Sequence, residues 1–279
     1  MARNCVQPEL FEDCSLMHKL ATEKNSKETS PCRILQAEGA APLLFICDHA
    51  SRYIPSSYSD LGLGEADLCR HIAWDIGAAA LTEKLSAALD APAVLAGFSR
   101  LLIDTNRCSD APGLIPDVSD GTAIPGNRHI DATERQHRRD RFYHPFHAAV
   151  AGLVSSFQAR GVVPLVVGVH SFTPVMNGAA RPWQVGLLWD KDPRLAAALI
   201  AGLGLRPGLV VGDNEPYTGK ALFHTMQVHG ARWGFPQVTI EIRQDEIDSD
   251  AGVAEWAEVL TEELRRIMKL PEMQVARQY

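Results

Sequence analysis

The chain has 279 residues, 46% hydrophobic and 22% charged, with a formal net charge of −7. That is the make-up of a soluble globular protein, long enough for one large α/β domain or two small ones. The acidic balance argues against a nucleic-acid backbone as partner, and no apolar run approaches the length of a membrane span.

In chain order, residues 1–35 read as a peripheral or disordered extension. The start lacks the uninterrupted apolar stretch of a signal peptide, and ATEKNSKETSP, 21–31, is polar and turn-rich. Six cysteines (Cys5, Cys14, Cys32, Cys47, Cys69 and Cys108) form no C-x-x-C pair. Their scatter points to reduced thiols in a cytoplasmic protein rather than a disulfide frame or a thiolate zinc cluster. Residues 36–279 read as a single domain. Strands are predicted over 43–47, 93–96, 100–104, 163–169, 184–189, 209–212 and 237–242, and helices over about 65–89, 131–159, 192–202 and 253–268. Their alternation predicts an α/β fold, a three-layer αβα arrangement around a mainly parallel mixed sheet. PLVVGVHS is apolar on both faces and suits a central strand. The long polar loops 108–130 and 212–234 stand where loops at strand carboxyl ends line a ligand crevice.

Several signatures fail on inspection. AGFSRLL has Leu101 where a nucleophile elbow needs Gly. GDNEPYTGKA ends in Gly219-Lys220 with P-loop spacing wrong and Ala221 in place of the hydroxyl, LGLGEAD lacks a third dinucleotide-binding Gly, and no H-E-x-x-H occurs.

What remains is polarity at strand ends. LLFIC, 43–47, runs directly into Asp48 and His49; SRLLIDTNR, 99–107, ends in Asp104, Asn106 and Arg107; His170 and Ser171 follow PLVVGV; Glu241 interrupts VTIEIR. A carboxylate among Ile240 and Ile242 needs a partner, either Arg243 on the same strand face or a polar cavity. Two strand-end histidines and an acid at a third strand end favour a metal site. Asp75 shares a predicted helix face with Leu68, Ile72 and Ala79 and needs a partner too; His71, four residues earlier, or a metal ion would serve.

The ordered set CDHAS, AWD, FSRLLIDTNR, YHPFH, GVHSF, NEPYTGK and QVTIEIR, spread over about 43–245, resembles the N-formylglutamate amidohydrolase family. That family is related to zinc carboxypeptidases and aspartoacylases. The resemblance implies a zinc-carboxypeptidase-like (phosphorylase/hydrolase-like) fold and one zinc ion. His49 and His170 would be ligands. The acid that follows the first histidine in H-x-x-E is missing, because Ala50, Ser51 and Arg52 stand there. Asp75 is then the third ligand, with Asp48 as the alternative. Glu241 would be the general base, Arg100 would polarise the scissile carbonyl, and Asn106 with Arg107 would hold a substrate carboxylate. Arg52 could bind a second carboxylate or be a surface residue, and Tyr217 and Lys220 belong to a loop that could close over substrate or be an exposed turn. His144 and His147 read as groups on a helix surface or supporting the site from behind its first layer of contacts, with a kink or break at Pro145. The implied partner is a small acidic N-acyl amino acid, N-formyl-L-glutamate first. A zinc carboxypeptidase, another N-acyl amino-acid amidase and a non-catalytic binder of acylated amino acids are the alternatives.

Overall fold

The structure is a computed structural model that describes residues 30–220 and 223–279. Residues 1–29 of the expected extension lie outside the described residues. Seven strands form the central sheet: β1 (Cys32–Leu35), β2 (Leu43–Cys47), β3 (Ala93–Ala96), β4 (Leu165–Phe172), β5 (Val185–Leu188), β6 (Val211–Asp213) and β7 (Gln237–Arg243). Their spatial order is β1-β3-β2-β4-β7-β5-β6. The pairings β3/β2, β2/β4, β4/β7 and β5/β6 are parallel, and β1/β3 and β7/β5 are antiparallel, so the sheet is mixed and mainly parallel. The edge strand β1 lies at the end of the segment expected to be an extension, so from Cys32 onward that segment belongs to the sheet. Its burial pattern is only partial, and partial burial leaves no apolar run to read.

The main helices are α1 (Ala78–Leu89), α2 (Ala132–Arg138), α3 (His144–Ala159), α4 (Arg194–Leu203), α5 (His224–His229) and α6 (Asp250–Ile267). Successive strand side chains point to opposite faces, and the core divides accordingly. Leu43, Phe45, Cys47, Leu165, Val167, Val169, Val238, Ile240 and Ile242 pack with α1, α4 and α6. Leu44, Ile46, Val94 and Val166 pack on the other side with Phe146, Val150 and Phe157 of α3 and Met226 of α5. This parity fixes where polar residues go. His170 of β4 continues the face of Val166, and Glu241 of β7 lies opposite the face of Ile240 and Ile242. The two are register partners across the β4/β7 pair, on the side of α3 and α5.

Three expectations change. The helix predicted over 65–89 is interrupted: a single helical turn, Glu65–Leu68, is followed by turns, and α1 starts only at Ala78. Gly77 holds a left-handed φ of 80°, and a Cβ there would lie 2.2 Å from the Ile247 carbonyl oxygen, so a regular helix cannot run through it. Asp75 is therefore on a turn, not a helix face. The strand predicted over 100–104 is a run of turns, although Leu101, Leu102 and Ile103 are buried. Apolar side chains identified burial there, and backbone turns supply it. Finally, the helical run over 132–159 is not broken at Pro145; a π-turn, Arg139–Tyr143, joins α2 to α3 just before it. Among the described cysteines, Cys32, Cys47 and Cys108 are free thiols. Among the described residues no helix is long and apolar enough to cross a membrane.

Candidate active site

Three segments converge at the carboxyl ends of β2, β4 and β7. His49 follows β2 immediately. Its carbonyl accepts the Asp75 backbone N–H at 2.9 Å, which ties the turn carrying Asp75 to the strand end. Ser171 adds its N–H to Asp75 Oδ2 at 3.4 Å, and its hydroxyl donates to the Ile76 carbonyl at 2.7 Å. The loop from Ser99 docks on the same turn: Ser99 Oγ and the Arg100 N–H both donate to the Ala73 carbonyl, at 2.8 and 3.3 Å.

The result is a buried His–Asp–His group. Asp75 Oδ2 lies 2.8 Å from His170 Nδ1 and 3.3 Å from His49 Nδ1. One ligand atom from each of His49, Asp75 and His170 lies within 4.8 Å of the others, and all three residues are buried. The donor chemistry fits a divalent ion. His49 Nε2 lies 2.8 Å from Asp104 Oδ1, to which it donates its proton, so Nδ1 can meet the Asp75 carboxylate only by taking up a second proton or by sharing a cation with it. Such convergence of acceptors calls for a cation. The imidazoles register the same field. Burial opposes a charge on His170, but the hydrogen bond and charge of Asp75 outweigh it and push the ring up to about 9. Burial and Arg100 act downward on His49, while Asp104 and Asp75 raise it above its ordinary value. Burial would raise Asp75; the charge of His49 and the hydrogen bonds from both rings hold it below the carboxylate range instead.

Of the other residues read from the sequence, Glu241 and Arg100 border this group. Glu241 is buried, and burial pushes its carboxyl up to about 7, against the pull of His170. Arg243 does not pair with it; that guanidinium is held by Asp245 at 2.7 Å and Glu246 at 2.9 Å. Arg100 donates to Asp104 Oδ2 at 2.8 Å and approaches Asp75 Oδ1 at 3.5 Å. Arg107 Nε is 3.6 Å from Asp104 Oδ2 and its side chain is 39% exposed. Asn106 accepts the Thr225 N–H on Oδ1 at 3.1 Å. Asp48 lies outside the His–Asp–His group: its Oδ2 accepts Thr225 Oγ1–H at 2.7 Å and is 3.8 Å from His170 Nε2. His71 is not the partner of Asp75; it faces Asp120 at 3.5 Å. Arg52 ion-pairs with Glu65 at 2.7 Å. Tyr217 receives Arg181 Nη1–H on its hydroxyl at 3.0 Å, under a guanidinium 4.9 Å from its ring, and Lys220 is exposed. His144 is exposed, 3.8 Å from Asp140, while His147 is turned inward.

Sequence reasoning marked Asp104 only as a polar group at a strand end, yet it joins the site together. Its carboxylate accepts from His49, from Arg100 and, at 3.0 Å, from the Asn106 N–H. Arg100 and His49 hold it well below the usual carboxylate range against the upward push of burial. The first letter of D-T-N-R was the available signal.

Fold and site together define an α/β protein with a buried His–Asp–His group suited to a metal ion. The family model for N-formylglutamate amidohydrolase matches residues 41–247, and the chain belongs to that family of hydrolases. A crystal structure of a gene product from Agrobacterium tumefaciens is similar with a TM-score of 0.83 and 37% identity, over 86% of this chain and 95% of that one. The crystal structure of N-formylglutamate amidohydrolase from Ralstonia eutropha JMP134 shares the fold at a TM-score of 0.71 and 23% identity, over 88% of this chain and all of that one (100%). No curated protein matches.

Proposed function

We propose that this protein hydrolyses the amide bond of N-formyl-L-glutamate, or of a closely related N-acyl amino acid, to glutamate and formate or the corresponding acid, using one zinc ion held by His49, Asp75 and His170. The observation that carries the reading is the convergence of that His–Asp–His group with Glu241 and Arg100 in a chain of this family. Two imidazoles and one carboxylate are a donor set that leaves zinc an open position. When bound, zinc supplies a Lewis acid and acidifies a water molecule. The same reading assigns the sheet to the zinc-carboxypeptidase type.

The chain's own residues supply the rest. Glu241, poised near neutrality, takes a proton from the attacking water at a carboxylate oxygen and returns it to the leaving amine nitrogen. Arg100 keeps its charge, since Asp104 and Asp75 raise its pKa against burial, and donates to the carbonyl oxygen as negative charge develops there. Arg107, the more exposed guanidinium, receives a substrate carboxylate in a bidentate fork. The Asn106 carboxamide oxygen is taken by Thr225, which leaves its NH2 to donate to the same anion. Arg52 and Tyr217 would complete the substrate contacts.

The test is metal analysis of protein purified without added metal, paired with formate release from N-formyl-L-glutamate. Zinc at one equivalent is expected. Glu241→Gln should retain zinc and lose about 10²–10⁴-fold in kcat. A zinc-free protein whose Glu241→Gln variant still hydrolyses the substrate would overturn the proposal.

A further inference from the structure

Residues 102–107 form a turn whose outward carbonyls are held by one helical run. Arg138, the last residue of α2, donates from Nη1 to the Leu102 carbonyl at 3.1 Å. Tyr143, at the end of the π-turn, donates its hydroxyl to the Arg107 carbonyl at 2.9 Å. His147 of α3 lies with Nε2 3.0 Å from the Thr105 carbonyl. A carbonyl can only accept, so His147 carries its proton on Nε2. Its Nδ1 then accepts from His229 Nε2–H, 2.8 Å away. In the same way Tyr143 donates to Arg107, and its oxygen accepts His224 Nε2–H at 2.9 Å. The Arg107 and Thr105 carbonyls therefore each end a short chain of donors with a fixed direction.

The π-turn makes this alignment possible. Tyr143 and His147 are four apart and share a helix face. Arg138 and Tyr143 are five apart, and in an uninterrupted α-helix they would point about 140° away from each other. The i→i+5 spacing of a π-turn over Arg139–Tyr143 returns both to one side, and π-turns of this kind recur at functional sites. Burial keeps His147 and His229 uncharged, at about 3 and about 4, so the chain from His229 through His147 is not broken by a second proton near neutrality.

We propose that Tyr143 and His147 are positioning residues for the substrate-carboxylate receptor: by gripping the carbonyls of Arg107 and Thr105 they fix the turn from which Asn106 and Arg107 reach the substrate. The inference rests on the role given to Asn106 and Arg107 above. The turn is also tied at its inner side, where Arg107 N–H donates to the Asp104 carbonyl at 3.2 Å and Thr225 bridges Asn106 to Asp48. Removing an outer donor leaves these ties and frees only the orientation of residues 105–107.

The experiment uses the full-length, metal-loaded protein and two readouts: calorimetric Kd for L-glutamate, and kcat and KM for N-formyl-L-glutamate. Tyr143→Phe and His147→Leu are expected to raise Kd and KM about 5- to 20-fold, the scale of one lost hydrogen bond, with kcat within about twofold. His147→Gln, which keeps a donor near Nε2, should recover most of the loss. In an Arg107→Ala background Tyr143→Phe should no longer change KM. Unchanged Kd and KM, a fall in kcat alone, or an undiminished effect in the Arg107→Ala background would overturn the inference. If the wild type released no formate but bound L-glutamate with these sensitivities, the activity proposed above would fail and this inference would stand. If it bound no L-glutamate, the inference would fail.

Discussion

Replacing Asp104 tests the site at its hub. Its side chain is 5% exposed, and Oδ1 serves His49 and the Asn106 N–H while Oδ2 serves Arg100 and faces Arg107. An asparagine in the same pose keeps one acceptor. With Oδ1 left on His49 and Asn106, the new NH2 points at Arg100 Nη2, formerly 2.8 Å from an acceptor, donor against donor. Asp104→Asn should thus weaken zinc binding moderately, about 10-fold, because His49 keeps a neutral outer acceptor; Asp104→Ala removes it and should cost about 100-fold. In free energy the two losses are about 1.4 and 2.7 kcal/mol. The metal-free protein loses stability as well. Arg100, with a side chain 27% exposed, is left without its nearest charge partner. Breaking such a partly buried pair costs about 3 kcal/mol, the low end of the range for buried ones, or about 6–12 °C in midpoint for a domain this large. The assays are competition with a zinc-binding dye and thermal unfolding with and without chelator. If Asp104→Ala holds zinc as tightly as the wild type and melts at the same temperature, the carboxylate does not organise His49 and Arg100 and the reasoning fails.

Two further outcomes follow from the geometry. Gly77→Ala should destabilise by about 2 kcal/mol or more and weaken zinc retention, because its Cβ would meet the Ile247 carbonyl at 2.2 Å and displace the turn carrying Asp75. Gly121→Ala, also at positive φ but with nothing near its Cβ, should cost only the left-handed strain of about 1–2 kcal/mol and leave zinc retention intact, and chelator titration with unfolding midpoints separates the two. His147 and His229 should also contribute a loss of stability in mild acid, opposed by Glu241, whose raised carboxyl acts in the other direction. His147 and His229 are lowered by burial to about 3 and about 4 from 6.5, so the folded state binds fewer protons than the unfolded one. Their contribution is present above about pH 6.5 and is lost as pH falls toward these values, by about 2–4 kcal/mol between pH 7 and pH 5. Denaturant unfolding across that range should show a flatter acid limb for His229→Gln than for the wild type; identical slopes would contradict the assignment.

How much of this was legible in the sequence depended on what each residue disturbs. Strands β2, β4 and β7 were readable because their apolar runs are buried on both faces, and His49, His170 and Glu241 stood out as polar groups placed where burial is costly. Asp75 was found by the same cost, yet its helix was misplaced, since the periodicity with Leu68, Ile72 and Ala79 said nothing of the Gly77 φ that breaks it. Leu101–Ile103 show the converse: burial was right and strand was wrong, because a buried run fixes environment and not backbone shape. His147 was legible only as a group on a helix surface or behind the site, and Tyr143 not at all, for a different reason. Tyr143 and His147 act on main-chain carbonyls, which every residue has, and they line up with Arg138 only through a π-turn that no spacing rule predicts. A side chain that bears charge into the core announces itself by its energetic cost. One that holds another segment's backbone becomes visible only when both segments are in place, and the proposed substrate-carboxylate receptor would depend on the second kind as much as the proposed metal site on the first.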